Sequence, residues 1–279
     1  MKKRWLWVLL LAALLAGFVW QQNFTLQVDP VELSFSALPE EFDGLRVAQL
    51  SDLHGRSFGR GNCRLLQCLA RAQPDLICIS GDLFDEKTDL AMLEPLLTGL
   101  VKIAPVYYVT GNHEWQVPGL SSVLRRMRDW GVTVLQNDYV LLRRGAAELA
   151  VAGVDDPCGP ADAKPPAQLV TELHAAHPED FILMLSHRND ELPLWSGLNV
   201  PLVLSGHCHG GVVRLPFLGG IFGTHRELLP EYDAGAFREG NTVVYVSRGL
   251  GYTNVHFRLF NRPHVPILIL RSEKNVNKS

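Results

Sequence analysis

The chain has no Cys-x-x-Cys pair, no internal repeat and no low-complexity tract. Its five cysteines are an odd number. Cys63 and Cys68 lie five apart in a stretch that reads as helix, and Cys78 falls in an apolar run where a small core residue fits. These spacings give neither a disulfide framework nor a zinc finger. No Lys/Arg-rich block follows the first four residues, and 26 basic against 29 acidic residues leave a formal charge of -3. Without a basic footprint, a nucleic-acid-binding role loses weight, and no nucleic-acid partner is expected. What the chain does have is 279 residues at 47% hydrophobic composition, which suits one large domain.

Five short polar motifs each follow an apolar run. They are Asp52-Leu53-His54, Gly81-Asp82, Gly111-Asn112-His113-Glu114, Ser186-His187 and Gly206-His207-Cys208-His209. The runs Leu45 to Leu50, Leu76 to Ile79, Val106 to Val109, Phe181 to Leu185 and Pro201 to Leu204 read as buried strands. Side chains at strand ends can converge on one rim of a sheet. Here they would offer two carboxylates, an amide and four imidazoles, with His113 beside them. That set is sufficient for two divalent metals held close together, an arrangement that hydrolyses phosphate esters. Carboxylates with neutral imidazoles suit Mn²⁺, Fe²⁺ or Zn²⁺ and do not choose among them.

The order of these motifs resembles the calcineurin-like metallophosphoesterase superfamily over roughly Leu45 to Leu270, and the N-terminal segment and the Tyr245 to Gly251 tail resemble its membrane-anchored bacterial phosphodiesterase branch. The resemblance implies an α/β fold, a four-layer αββα sandwich with the metals at one edge. It implies that Asp52, His54, Asp82 and His209 surround one metal. Asp82, Asn112, His187 and His207 would surround the other, with Asp82 bridging. A water between two such metals loses a proton more readily and serves as nucleophile. His113 is implied to contact the phosphate or leaving oxygen, where an imidazolium can act as general acid. Arg56, Asn62 and Arg188 are candidates for touching the substrate, and Asn189 could join Arg188. Cys208 stands where the family carries a hydroxyl residue. If the stretch is extended, Cys208 points away from its two histidine neighbours, so the departure bears on oxidation sensitivity. His225, His256 and His264 have no motif around them and are assigned to loops or packing.

Lys2, Lys3 and Arg4 precede an uncharged run from Trp5 to Trp20. The run is short against the ~20 residues of a spanning helix, but Gln21 to Asn23 can extend it, and Trp5, Trp7 and Trp20 suit interfacial anchoring. A cleaved signal peptide competes with this reading. No Ala-x-Ala site follows, and Leu15-Ala16-Gly17-Phe18 has Phe where a lipoprotein box needs Cys. A buried core helix is the third alternative. The expected organisation is an anchor at residues 1–23, a tether and lead-in strand at 24–44, a phosphoesterase domain at 45–271 and a polar tail at 272–279. Basic residues before the run, and none from Gln21 to Asp43, favour a single-pass inner-membrane protein with its domain on the periplasmic face.

Helices are expected over Asn62–Ala72, Asp89–Leu100 with Pro95 able to kink or restart it, Gly119–Trp130 and Gln168–Ala176. A hairpin turn is expected at Arg143 to Gly145, with short strands at Val212–Leu215, Val243–Ser247 and Pro266–Leu270. Gly219 to Gly240 reads as a long loop, with an apolar approach that suits a lid, a membrane-facing lip or simple packing. The leading function is a membrane-associated phosphodiesterase acting on a lipid or cell-envelope ester. A UDP-2,3-diacylglucosamine pyrophosphatase is the alternative enzyme. An inactive binding protein on the same scaffold would show degraded ligand motifs, and these are intact.

Overall fold

The computed structural model describes residues 2–178, 180–224, 227–252 and 255–276. His225 and residues 277–279 of the expected tail lie outside the described residues.

The chain opens with helix α1 (Lys2–Phe24), followed by β1 (Gln27–Phe35) and β2 (Leu45–Leu50). Then come α2 (Cys63–Ala72), β3 (Leu76–Ser80), α3 (Leu93–Val101), β4 (Val106–Val109), α4 (Leu120–Asp129) and β5 (Thr133–Val134). The second half holds β6 (Asp138–Arg144), β7 (Ala147–Gly153), α5 (Pro166–Ala176), β8 (Phe181–Leu185), α6 (Leu192–Gly197) and β9 (Leu202–Ser205). It closes with β10 (Arg214–Leu215), β11 (Gly219–Gly220), β12 (Gly235–Glu239), β13 (Thr242–Val246) and β14 (His264–Ser272).

One six-stranded sheet has the order β1-β14-β2-β3-β4-β5 and the other β12-β13-β9-β8-β7-β6. Both are mixed. Strands β2 to β5 run parallel to one another, and β14 lies antiparallel to β2. In the second sheet β13, β9, β8 and β7 run parallel, with β12 and β6 antiparallel at the edges. Parallel strands send all their C-terminal ends to one edge, which is where open α/β sheets place their ligands.

Alternation along each strand divides the core. Val47 and Cys78 join a cluster with Leu183, Leu204 and Tyr245 of the other sheet. Their neighbours Ala48 and Ile77 face Leu65 and Leu69 of α2, Leu96 of α3 and Leu124 of α4. On the second sheet Ala150, Ile182 and Val203 pack against Leu169 and Leu173 of α5 and Trp195 of α6. This is the period-2 geometry of strands buried on both faces.

Several expectations are adjusted. Pro95 sits in the first turn of α3, where its missing N–H costs nothing, so α3 starts at Leu93 after a separate 3₁₀ turn at Leu90–Met92. β6 runs through Arg143 and Arg144, which moves the hairpin turn to Gly145 and Ala146, with Gly145 at φ +58°. Gly219 to Gly240 is not one loop, because β11 pairs with β10 and β12 pairs along β13. Only Arg214 and Leu215 of the expected Val212–Leu215 strand are paired in β10, since Val212 takes a φ of +57°. β1 lies where a tether and lead-in strand are expected, and it is hydrogen-bonded along its whole length to β14.

Candidate metal centre

Each motif begins where a parallel strand ends. Asp52 and His54 follow β2, Asp82 follows β3, Asn112 and His113 follow β4, His187 follows β8, and His207 and His209 follow β9. The first sheet thus supplies five of these side chains and the second supplies three. The backbone bends sharply at these points. Asp52, His54, Asp82, His207 and His209 all have φ between 47° and 66°. Non-glycine residues seldom adopt this left-handed region, and such strain gathers at functional sites. Gly81, at φ +87°, makes the turn before Asp82, and a Cβ there would lie 2.6 Å from His187 Nδ1.

The side chains form two adjoining groups. Asp52, His54 and His209 offer atoms within 4.8 Å of one another, as do Asp82, His187 and His207, and a third group of His54, Asp82 and His113 spans the two. His54 Nε2 is 3.2 Å from His209 Nε2 and 3.6 Å from Asp82 Oδ2. His209 Nε2 is 3.5 Å from Asp52 Oδ1. His187 Nε2 is 3.2 Å from both Asp82 Oδ2 and His207 Nδ1. Asp52 and Asp82 are at most 1% exposed. A cavity of about 910 Å³ opens over them, lined by His54, Asp82, Asn112, His113, Arg188 and His209 among others.

Burial raises the Asp52 carboxyl above its ordinary value, against the charge of His187. Burial would raise Asp82 as well, but His187, His54 and His113 outweigh it and hold that carboxyl well below the usual range. Burial works against a charged His187, yet the Asp82 carboxylate pushes the imidazole up to about 10. A proton on His187 therefore offsets the Asp82 carboxylate, while burial holds His209 toward its neutral form. Divalent cations displace such protons when they bind.

The residues fit a metal pair on a further observation. The side-chain oxygen of Asn112 is buried and has no hydrogen-bond partner among the described residues. Buried polar atoms are normally satisfied, so an orphaned acceptor facing a carboxylate–imidazole cluster has the chemistry of a vacant ligand.

Supporting contacts fix the orientation of the site. His187 Nδ1 donates to the Ser80 carbonyl at 2.8 Å, which turns Nε2 toward Asp82. Asp85 lies 3.6 Å from His54 Nδ1. Asp52 accepts the His207 backbone N–H at 3.0 Å and Asp82 that of His113 at 3.0 Å. The His113 ring stands edge-on to His54 at 4.9 Å.

The weaker candidates fare differently. Arg188 lines the cavity and is held there by Asp156 through two bonds of 2.7 and 2.9 Å. Asn189 turns away to the Tyr232 carbonyl. Arg56 lines the cavity too, but it donates to the Leu250 carbonyl at 3.0 Å and to the Asn23 carbonyl. Asn62 is not brought to the cavity. Its side-chain oxygen accepts the Phe58 backbone N–H, and it is 1% exposed. Cys208 packs into the core against α5 and α6, and burial pushes its thiol up to about 12. It also borders the cavity, and the chain passes it in a tight turn, with Cys208 at φ -76° and ψ -11°, and not as an extended strand. His264 begins β14 and is buried, and His256 lines the cavity mouth.

Glu114 went unassigned in the sequence. It is fully buried, and its carboxylate accepts backbone N–H groups from Asp82, Leu83 and Gly111 at 3.1, 2.6 and 2.9 Å. It ties the β3 and β4 loops together. Burial, then the Asp82 charge, raises its carboxyl to about 7. Its place inside the Gly-Asn-His-Glu motif was the available signal. A fourth group, Glu148, His177 and Asp180, lies at the opposite ends of β7 and β8, where Arg143 already sits 2.5 Å from Glu148.

The calcineurin-like phosphoesterase family model matches residues 45–211, which include the seven candidate ligands and His113. The chain belongs to that family. It is 28% identical over 244 residues to the metallophosphoesterase YkuE of Bacillus subtilis, covering 85% of this chain and 82% of that one. It is 30% identical over 202 residues to the phosphodiesterase YaeI of Escherichia coli, covering 71% of each chain. A transmembrane protein with a metallophosphoesterase domain from Danio rerio is 28% identical over 88% of this chain and 57% of its own length. Among solved structures, the Thermus thermophilus sulfate thiohydrolase SoxB superposes with a TM-score of 0.51 at 15% identity, over 84% of this chain and 57% of that one. The protein is a metallophosphoesterase, a hydrolase acting on ester bonds.

Proposed function

We propose that this metallophosphoesterase is a dimetal phosphodiesterase held on the inner membrane, with its domain on the periplasmic face and its two sheets and flanking helices in four-layer αββα order. The observation that carries the reading is the meeting of Asp52, His54, Asp82, Asn112, His187, His207 and His209 from five strand ends, with the Asn112 oxygen buried and unpartnered. Asp52, His54, Asp82 and His209 would hold one cation and Asp82, Asn112, His187 and His207 the other, with Asp82 common to both sets. When bound, the pair supplies Lewis-acid polarisation of the phosphoryl group and eases deprotonation of water.

The remaining work falls to the chain's own groups. Asn112 contributes a neutral oxygen, so the ligand set keeps net positive charge for a phosphate. His113, beside the ligands and facing the cavity, protonates the leaving oxygen. Arg188, fixed by Asp156, offers a guanidinium edge to a phosphoryl oxygen. The similarity to YaeI, named a phosphodiesterase, supports a diester. Helix α1, apolar from Arg4 to Phe24 and 6% buried in its most apolar stretch, supports the anchor. The three basic residues before the apolar run support the orientation.

The test is purification of the full chain with its native metal, metal analysis, and activity against diesters, monoesters, UDP-2,3-diacylglucosamine and phospholipids. Two metals per chain and preference for diesters are expected. Selective cleavage of the pyrophosphate substrate would replace this reading.

A further inference from the structure

We propose that the apolar surface beside the cavity mouth inserts into the same bilayer as α1, so that the site takes phosphodiesters whose acyl chains remain in that bilayer. This rests on the reading of α1 as a membrane anchor and of the cavity as a phosphodiesterase site.

The end of α1 is fixed to the domain. Its residues are exposed from Arg4 to Gly17, but Gln22 and Asn23 are 7% and 4% exposed. Asn23 Nδ2 donates to the Arg258 carbonyl at 3.1 Å, and the Arg258 N–H donates to Asn23 Oδ1 at 2.8 Å. The Asn23 carbonyl accepts from Arg56 and from the Tyr252 hydroxyl. The Arg56 guanidinium lies 4.0 Å from the Tyr252 ring. Arg56 and Tyr252 both line the cavity. The helix end and the cavity mouth therefore share side chains, and the cavity cannot swing far from the plane that α1 enters.

An apolar surface continues from this joint. The Phe18 ring, inside the apolar run, stands 5.5 Å from that of Phe260. At ~1.5 Å rise per residue, Phe18 is only about 3 Å along the axis from Trp20, so Phe260 lies at the interfacial level. Leu259, next to it, bridges to Val213 at the base of the β10–β11 hairpin. From Leu215 to Gly223 the chain carries no charged or polar side chain. Phe217 at the hairpin tip is fully exposed, Leu218 is 62% exposed and Leu228 is 69% exposed. Phe222, paired with Leu228, and Val255 line the cavity, so the surface runs to its rim.

Backbone geometry points the same way. Phe217, Leu229 and Phe260 are all exposed apolar residues with φ of +68°, +55° and +52°. Bulky side chains in the left-handed region are strained. Holding three of them there toward solvent gains nothing for folding. A contiguous apolar patch of this kind marks a membrane or protein contact. Its continuity with a helix already in the bilayer selects the lipid surface.

The test uses the full chain in phosphatidylglycerol nanodiscs. Cys63, Cys68 and Cys158 are changed to Ser, and a spin label is placed at Phe217→Cys or at the exposed control Ser121→Cys on α4. At 217 the label should meet oxygen more than a water-soluble nickel chelate, with the reverse at 121. Equal chelate access at both positions overturns the proposal. So does shielding from both reagents at 217, which a second copy of the chain would produce. If the chain does not enter nanodiscs, the anchor reading fails and the proposal with it.

The activity arm pairs Phe217→Asp with Leu218→Asp. Hydrolysis of phosphatidylglycerol in vesicles should fall about tenfold or more as two anchoring side chains leave the interface, while bis(p-nitrophenyl) phosphate turnover is retained. Equal loss on both substrates overturns the proposal. If the metal-loaded wild type cleaves neither substrate, the phosphodiesterase reading fails, while the label still decides the docking.

Discussion

Asp82 is the residue on which both halves of the candidate site depend. Its Oδ2 lies 3.2 Å from His187 Nε2 and 3.6 Å from His54 Nε2, one imidazole from each proposed metal group. Asp82→Ala should remove both cations, since nothing else among the proposed ligands is shared. Elemental analysis of the purified variant checks this, and retention of two tightly bound metals would refute the bridging role. His113 is a different case, because it is proposed as an acid beside the ligands and not as one of them. His113→Ala should keep the metals and lose ~10²–10⁴-fold in turnover, the usual range for general acid catalysis. The loss should shrink for esters with good leaving groups, which need less proton donation. An equal loss across leaving groups would point to phosphate positioning instead. The identities of these residues were legible because the motifs name them. The work of Glu114 was not, since its bonds go to backbone N–H groups that only the folded loops bring near.

Among the elements, the turn after β3 has the least freedom. Gly81 stands at φ +87°, and an added Cβ would meet His187 Nδ1 and the backbone of Gly111 at 2.6 and 2.8 Å. Gly81→Ala should therefore displace His187 and weaken metal affinity by about 10–100-fold, as for other losses of ligand orientation. Metal titration reads this, and unchanged affinity would mean that the turn adapts. The joint at the end of α1 gives a separate expectation. Asn23→Ala leaves the buried Arg258 N–H without its acceptor, at a cost of about 1–3 kcal/mol. At ~2–4 °C per kcal/mol for a domain of this size, the thermal midpoint in detergent should fall by a few degrees with metal content unchanged. A midpoint equal to wild type would show that the joint is loose. The helices over Cys63–Ala72, Leu120–Asp129 and Pro166–Ala176 were visible from apolar spacing. β12 was not, because an edge strand's pairing depends on what lies beside it.

For the whole molecule, the proposed anchor makes the side of the membrane the deciding question. Lys2, Lys3 and Arg4 precede the apolar run, and Gln21 to Asp43 carries no basic residue. By the positive-inside rule the domain should be translocated. Protease added to intact spheroplasts should then digest it. Digestion only after permeabilisation would place it in the cytoplasm and favour the pyrophosphatase reading.

The α/β phosphoesterase fold, the reaction class and the candidate site residues could be read from the sequence, because each chemical motif is contiguous and sits behind a short apolar strand. A local pattern suffices to read such units. The tertiary structure decided what depends on distant partners. It turned Asn62 into its own loop, committed Arg56 to the Asn23 carbonyl, and set Arg188 at the cavity against Asp156. It also bound the end of α1 to Tyr252 and Arg258. The physical reason is the same in each case. A buried polar side chain goes to whichever backbone or charged group the fold brings within about 3 Å, and sequence distance does not record that choice.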